Sequence, residues 1–97
     1  MQRTANEIVE KLDAKLNVKH DINNTIIHLM EELGEMLREI GKETYRNQEI
    51  NKEELGDEIA DVLMFLSRIA DNYNINIEEA FVRKSNKLRE RWNLDNE

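Results

Sequence analysis

Apolar residues recur at helical spacing through most of this chain, and no proline interrupts them. The 97 residues also include only three glycines. Proline and glycine are the residues that most weaken a helix, so their scarcity favours long helices over a turn-rich β fold. The two longest apolar stripes, at spacings of three and four, are Ile22, Ile26, Met30, Leu33, Leu37 and Ile40, and Leu55, Ile59, Val62, Leu66, Ile69 and Tyr73. The chain is therefore predicted to be all-α.

The stripes and the polar breaks between them predict four helices. Thr4 and Asp21 are favourable N-cap residues and indicate where the first two helices start. The four helices are expected over residues 4–17, 22–45, 51–72 and 77–92, with the second and third packed antiparallel. Gly41 is expected to mark a fraying end or a bend. We therefore predict a single domain over residues 1–97 with a four-helix bundle-like fold.

One segment of the third predicted helix is apolar on every side. This apolar block is the run Val62, Leu63, Met64, Phe65 and Leu66. A helix that is apolar all round is buried all round, and one chain of this length has too few elements to surround it. We therefore expect a second copy of the chain to cover one side, in a homodimer or a dimer of dimers.

The charge and residue composition disfavour several classes of protein. The net charge of -7 is opposite in sign to the basic surface of a typical nucleic-acid binder. No cysteine is present, which excludes a disulfide framework and a thiolate metal site. No apolar run approaches the roughly 20 residues of a membrane span, and the N-terminus lacks the apolar core of a signal peptide. A soluble, cytoplasmic protein is expected, with neither nucleic acid nor membrane as partner.

Four acidic residues form two pairs at helical spacing. Glu32 and Glu35 are three residues apart on the second predicted helix, and Glu58 and Asp61 are three apart on the third. Residues three apart point in the same direction on a helix. If the helices face each other, four carboxylates meet in one small volume and their charges need cations among them. Hard divalent ions with oxygen ligands, Mg²⁺ first, meet that need.

Two other interpretations of the acidic residues stay open on the pattern alone. Acidic strips can be solvated helix faces, especially in a chain with 21 acidic residues. Against this, Asp61 runs directly into the apolar block, and no basic residue stands among positions 54, 57, 58 and 61. Glu54 and Asp57 also form a pair at the same spacing, one turn before Glu58 and Asp61. The pattern therefore leaves two candidate pairs on the third helix.

A basic run lies in the last predicted helix of this otherwise acidic chain. Its members are Arg83, Lys84, Lys87, Arg89 and Arg91. Cations near a helix C-terminus complement the helix dipole. The same residues suit the capture of a triphosphate, because Lys offers a mobile point charge and Arg a bidentate fork for phosphate oxygens.

The order and spacing of the acidic motifs resemble those of the MazG-like nucleoside triphosphate pyrophosphohydrolases, within the all-α NTP pyrophosphatase superfamily. Glu-Glu-x-x-Glu at residues 31–35 is followed, after 22 residues, by Glu-x-x-Asp at 58–61. Asp-Val-Leu at 61–63 and Asn-Ile-Glu-Glu-Ala-Phe at 76–81 are also similar to that family. The resemblance covers roughly residues 22–92. It implies Mg²⁺ ligation by Glu32, Glu35, Glu58 and Asp61, with Mn²⁺ as a possible substitute.

The resemblance also implies roles for other side chains. Glu31 matches the first Glu of the motif and would orient a water or hold a second metal ion. Either Glu31 or Glu35 would orient or deprotonate the attacking water. Lys84, Asn86 and Arg89 are similar to the Lys–Asn–Arg run often found in the last helix of the family. Lys84 and Arg89 would then contact phosphates, and Asn86 the base or sugar.

The function implied is Mg²⁺-dependent hydrolysis of an NTP or dNTP between the α and β phosphates, giving NMP and pyrophosphate. Phosphoribosyl-ATP pyrophosphatase is an alternative within the same superfamily. A non-catalytic helical dimerisation module is an alternative from another class. His20 and His28 lack metal-ligand spacing to each other, and His28, one turn before Glu32, is expected at most to support a ligand.

Overall fold

The structure, a computed structural model, describes residues 1–16 and 21–96. Its α-helices are α1 (Gln2–Leu16), α2 (Ile22–Arg46), α3 (Lys52–Asn72) and α4 (Ile77–Trp92), followed by a 3-10 turn over Leu94–Asn96. No strand occurs in this part of the chain. The prediction of an all-α fold with four helices is confirmed, and the bounds of α4 agree with those predicted.

Three of the helices begin after a side chain that caps them. The capping oxygen accepts a hydrogen bond from the backbone N–H three residues further on, which satisfies one of the free donors of the first turn. The caps are Asp21 for α2, Asn51 for α3 and Asn76 for α4. The predicted N-cap Asp21 is confirmed, with a distance of 2.8 Å to Asn24 N.

The first helix starts earlier than predicted. The N-cap assigned to Thr4 is wrong, because α1 begins at Gln2 and the Ala5 N–H already donates to the Met1 carbonyl at 3.0 Å. The predicted end at Asn17, and His20 beyond it, lie outside the described residues. Gly41 does not mark the end of α2, since that helix continues to Arg46.

The helix α3 lies at the centre of the packed part of the molecule. It packs antiparallel against α2, as predicted, and against α1 on another side. Ala5 and Val9 of α1 and Ala70 of α3 are buried at this packing. Arg68 is buried as well, and its guanidinium lies 3.3 Å from the Glu10 carboxylate of α1. Small residues, and an ion pair between the buried Arg68 and the exposed Glu10, therefore join α1 to α3.

The helix α4 stands apart from the other three. None of its residues is buried. The turn before it is held by Gln2 of α1, whose Nε2 donates to the Ile75 carbonyl and whose Oε1 accepts from the Ile77 N–H, both at 2.8 Å. The position of α4 therefore depends on this turn.

Large apolar side chains remain exposed on the single chain. Met30 on α2 is 67% exposed and Phe81 on α4 is 72% exposed. Leu63 and Leu66 of the apolar block are also exposed, although the other three members of the block are half-buried. The chain by itself therefore does not enclose the apolar block, and its cover by a second copy stays a prediction. Among the described helices, none is long and apolar enough to cross a membrane.

Candidate metal and nucleotide site

The α2–α3 hairpin brings the four predicted metal ligands together in pairs. Glu32 lies beside Asp61 across the hairpin, and Glu35 beside Glu58. These pairs follow one antiparallel register, since 32 + 61 and 35 + 58 both equal 93. Glu35 acts on both Glu32 and Glu58, so it lies between the two ends of the cluster. We call Glu32, Glu35, Glu58 and Asp61 the carboxylate cluster.

Glu32 is half-buried and carries an oxygen without a donor. Its Oε2 is buried, and no described group donates a hydrogen bond to it. Burial away from water is the largest cause that raises the pKa of Glu32, and the neighbouring charges of Asp61 and Glu35 raise this pKa further. Another carboxyl group can satisfy this oxygen only by bringing a proton to it. The ionised form of Glu32 is therefore disfavoured unless a cation is present.

Glu58 repeats this situation on the other helix. Its Oε2 is also buried and receives no hydrogen bond from the described residues. Removal from water raises the pKa of Glu58, and the charges of Glu39, Glu35 and Glu54 add to the rise. Lys42 acts in the opposite direction and lowers it. Both helices of the hairpin thus present an unsatisfied carboxyl oxygen to the same region.

The donor set of the cluster fits a hard divalent cation. All four side chains offer carboxylate oxygens, which Mg²⁺ and Mn²⁺ prefer. The two orphaned oxygens are groups that a cation would satisfy directly. In the side-chain positions of the described residues, however, no three acidic or histidine side chains already form a ligand shell. The four carboxylates would therefore need side-chain rotation to close around a cation.

Three residues beside the cluster escaped sequence reasoning. Glu39 is 4% exposed, its Oε1 accepts from the backbone N–H of Asn51 at 2.8 Å, and its Oε2 lies 2.6 Å from Lys42 Nζ. The hydrogen bond from Lys42 lowers the pKa of Glu39 most, followed by the bond from Asn51. The spacing 32–35–39–42 on one helix face was a signal that could have identified both side chains on α2.

Glu31 lies outside the carboxylate cluster. The Glu31 side chain is exposed, and its Oε2 lies 3.5 Å from Nδ1 of His28, three residues earlier on the same helix. The His28 ring stacks on Phe65 of α3, with ring centroids 5.8 Å apart. His28 therefore contacts Glu31 and the apolar block.

The predicted substrate residues of α4 are exposed. Lys84, Asn86 and Arg89 all face solvent, and Arg89 Nη1 donates to Asn86 Oδ1 at 3.4 Å. Within the described residues, no ion pair or hydrogen bond links these side chains to the carboxylate cluster. The single chain therefore presents a basic helix and an acidic hairpin as separate surfaces.

The family to which the chain belongs agrees with this arrangement. The model of the MazG nucleotide pyrophosphohydrolase domain matches residues 20–93, which include both helices of the hairpin and α4. The protein is therefore a member of the MazG family, a family of nucleotide pyrophosphohydrolases. The comparison with curated proteins and the comparison with solved structures found no match.

Proposed function

We propose that this protein is a Mg²⁺-dependent pyrophosphohydrolase of nucleoside triphosphates. It adds one water across the bond between the α and β phosphates of an NTP or dNTP and releases NMP and pyrophosphate. The observation that carries the proposal is the pair of buried, donor-free oxygens on Glu32 and Glu58, one on each helix of an acidic hairpin. Such oxygens are costly in a protein that binds no cation there.

Each member of the site has a proposed role. Glu32, Glu35, Glu58 and Asp61 hold Mg²⁺, or Mn²⁺ in its place. Bound there, the metal supplies charge neutralisation at the phosphate oxygens and acidification of a water. Glu35 or Glu31 orients the attacking water and accepts its proton. Glu35 is the better supported of the two, because it lies inside the cluster whereas Glu31 pairs with His28.

The triphosphate is proposed to meet α4 as well as the hairpin. Lys84 and Arg89 bind phosphate oxygens, and Asn86 hydrogen-bonds the base or sugar. Because no hydrogen bond or ion pair joins α4 to the carboxylate cluster among the described residues of one chain, we infer that a second copy places its α4 beside the cluster. The exposed Phe81 and Val82 on α4 support this inference, since such side chains need an apolar partner surface.

Pyrophosphate release tests the proposal directly. The protein is incubated with each canonical dNTP and NTP, with or without Mg²⁺, and pyrophosphate and orthophosphate are measured separately. We expect pyrophosphate and NMP in equal amounts, only when Mg²⁺ or Mn²⁺ is present. Release of orthophosphate, or activity unaffected by a chelator, would contradict the proposal. Phosphoribosyl-ATP in a parallel reaction distinguishes the related pyrophosphatase activity.

A further inference from the structure

A buried carboxylate outside the cluster joins the two helices of the hairpin. Glu39 of α2 accepts the backbone N–H of Asn51 at 2.8 Å, and Asn51 is the N-cap of α3. The charge of Glu39 is matched by Lys42 at 2.6 Å on its own helix. The bond from Asn51 is therefore a contact between α2 and the N-cap residue of α3.

We propose that Glu39 is a positioning residue that sets the register of α2 against α3, so that Glu58 and Asp61 meet Glu35 and Glu32. The inference rests on the proposed function, since it explains how that site is assembled. We call the contact of the Glu39 carboxylate with the Asn51 N–H the register clamp.

Helix geometry connects the clamp to the cluster. Glu39 lies seven residues after Glu32, and Asn51 seven residues before Glu58. Seven residues are about two turns, or about 10 Å along a helix, and they return to nearly the same face. A contact at this distance on the same side of the hairpin fixes how far α3 is shifted along α2. In the register of the cluster Glu39 lies opposite Glu54, so the clamp joins Glu39 to a residue three positions, or less than one turn, closer to the N-terminus of α3.

A second register is available to the sequence, and the clamp works against it. Glu54 and Asp57 have the same spacing as Glu58 and Asp61, one turn earlier. A slip of one turn, about 5.4 Å, would bring that pair opposite the α2 carboxylates. It would also remove the Asn51 N–H from Glu39 and leave a buried charge with one partner fewer, which is costly. A single buried polar contact can specify helix register in this way.

Four variants test the register clamp. Glu39→Ala removes the acceptor, whereas Glu39→Gln keeps one acceptor oxygen for the Asn51 N–H and loses the charge and the bond from Lys42. Asn51→Pro removes the N–H donor, whereas Asn51→Ala removes the same capping side chain and keeps the N–H. Glu43→Ala, an exposed acid one turn beyond Glu39, is the control for loss of a negative charge.

The first readout is Mn²⁺ affinity, measured by titration without nucleotide. We expect Glu39→Ala and Asn51→Pro to bind Mn²⁺ about 10- to 100-fold more weakly, the range found when groups supporting metal ligands are lost. Glu39→Gln, Asn51→Ala and Glu43→Ala should stay near the wild-type affinity. Unchanged affinity in Glu39→Ala and Asn51→Pro would overturn the proposal. Equal loss in Glu39→Gln and Glu39→Ala would also overturn it, because Glu39 would then act through its charge as a ligand.

The second readout is the distance between spin labels, which needs no metal. The chain has no cysteine, so labels on cysteines introduced at the exposed Asn23 of α2 and Asn72 of α3 are unique. We expect a displaced or broadened distance in Glu39→Ala and the wild-type distance in Glu39→Gln. A wild-type distance in Glu39→Ala would overturn the clamp even if the enzyme is active. A wild-type protein that releases no pyrophosphate would overturn the proposed function and leave this distance test in force.

Discussion

Glu32 and Glu58 each hold an oxygen that is shielded from water and receives no hydrogen bond from the described residues. A protein without a cation at this place gains nothing from two such groups. Neutralising one member of the cluster should therefore relieve repulsion while it removes a ligand. Stability and activity are thus expected to respond in opposite directions to the same substitution, which is the signature of a binding site rather than of a structural contact.

The amide Asp61→Asn separates these two responses. We expect pyrophosphate release to fall by more than about 100-fold, because even groups that only support metal ligands are worth about 10- to 100-fold. The free energy of unfolding of the metal-free protein should stay equal or rise. Urea unfolding with a chelator and a pyrophosphate assay measure the two quantities. Asp57→Asn, an exposed acid on the same helix, is the control.

Full turnover in Asp61→Asn would make the assignment of the ligands wrong. Glu54 and Asp57 would then be the next candidates on α3. Loss of turnover in Asp57→Asn together with full turnover in Asp61→Asn would place the hairpin in the alternative register.

The two kinds of pKa shift predict two windows of pH dependence. The raised pKa of Glu32 means that the folded state holds a proton that the unfolded chain releases near the ordinary value of 4.5. The metal-free protein should therefore lose stability as the pH rises through the range above 4.5 to the raised pKa. Glu39 has a lowered pKa, so its contribution is present above 4.5 and is lost as the pH falls through the lowered value.

Urea unfolding across this pH range measures both windows. Glu32→Gln should reduce the loss of stability that occurs as the pH rises above 4.5. Saturating Mg²⁺ should also reduce it in the wild type, by binding the folded state. Glu39→Gln should flatten the acid side, and it should also reduce the part of the alkaline loss that Glu58 contributes, because the charge of Glu39 raises the pKa of Glu58. A wild-type stability that increases steadily from pH 5 to 7 without metal would contradict the shift of Glu32.

At the scale of the helices, the molecule divides its chemistry between an acidic hairpin and a basic α4. The two have different degrees of burial, since the hairpin contains buried residues such as Glu39, Ser67 and Ala70 and α4 has no buried residue. Substitutions on α4 should therefore leave folding almost unchanged. Their effect on kinetics reports whether the helix takes part in substrate binding.

Lys84→Ala and Arg89→Ala test the proposed phosphate contacts. If each side chain makes one charge-assisted hydrogen bond to the triphosphate, worth roughly 1.5–3 kcal/mol, kcat/KM should fall about 10- to 150-fold. If they only complement the helix dipole, stability should fall by about 0.3–1 kcal/mol with kinetics unchanged. Steady-state kinetics and thermal unfolding distinguish these results. Lys87→Ala, an exposed cation on the same helix, is the matched control.

Local sequence signals predicted the helices well where their causes are local. Asp21 caps α2 as expected, because the bond it makes spans only three residues. Thr4, in contrast, is not the N-cap of α1 that the sequence predicts, because α1 begins at Gln2. The Gln2 side chain bonds to the Ile75 carbonyl 73 residues away. No periodicity within α1 carries that information.

The candidate site likewise combines features that the sequence predicts with features that result only from packing. The pairing of Glu32 with Asp61 follows from helical spacing and an antiparallel hairpin, both of which the sequence indicates. The burial of Glu39 results from the packing of α2 on α3 and from a backbone N–H, so residue type alone does not reveal it. The choice between Glu58 with Asp61 and Glu54 with Asp57 is a question of register, which the sequence leaves with two answers.

At the scale of the whole molecule, large apolar side chains lie exposed on all four helices, α1, α2, α3 and α4. Met30, Leu37 and Phe81 are each more than 60% exposed. We expect a second copy to cover these faces and to bring its α4 to the carboxylate cluster. Sedimentation at micromolar concentration should show a dimer or tetramer, and a stable folded monomer would contradict this expectation.

A mixing experiment tests whether two copies build one site. Asp61→Asn and the double variant Lys84→Ala with Arg89→Ala are each expected to be weak alone. If α4 of one copy serves the hairpin of the other, a mixed dimer has one intact site, so an equal mixture after subunit exchange should reach about a quarter of wild-type activity. If each chain builds its own site, mixing should restore nothing. The exchange itself is followed with differently labelled chains.

The isolation of α4 has a consequence for how such a protein can diversify. The Gln2 amide holds the turn before α4 through backbone groups of Ile75 and Ile77, so this attachment does not depend on which side chains α4 carries. Neutral drift can then alter the exposed face of α4 with little effect on the packing of the hairpin. If α4 binds the nucleotide as proposed, nucleotide preference and hydrolytic capacity can change separately, and an exchanged α4 should transfer the preference of its donor to this hairpin.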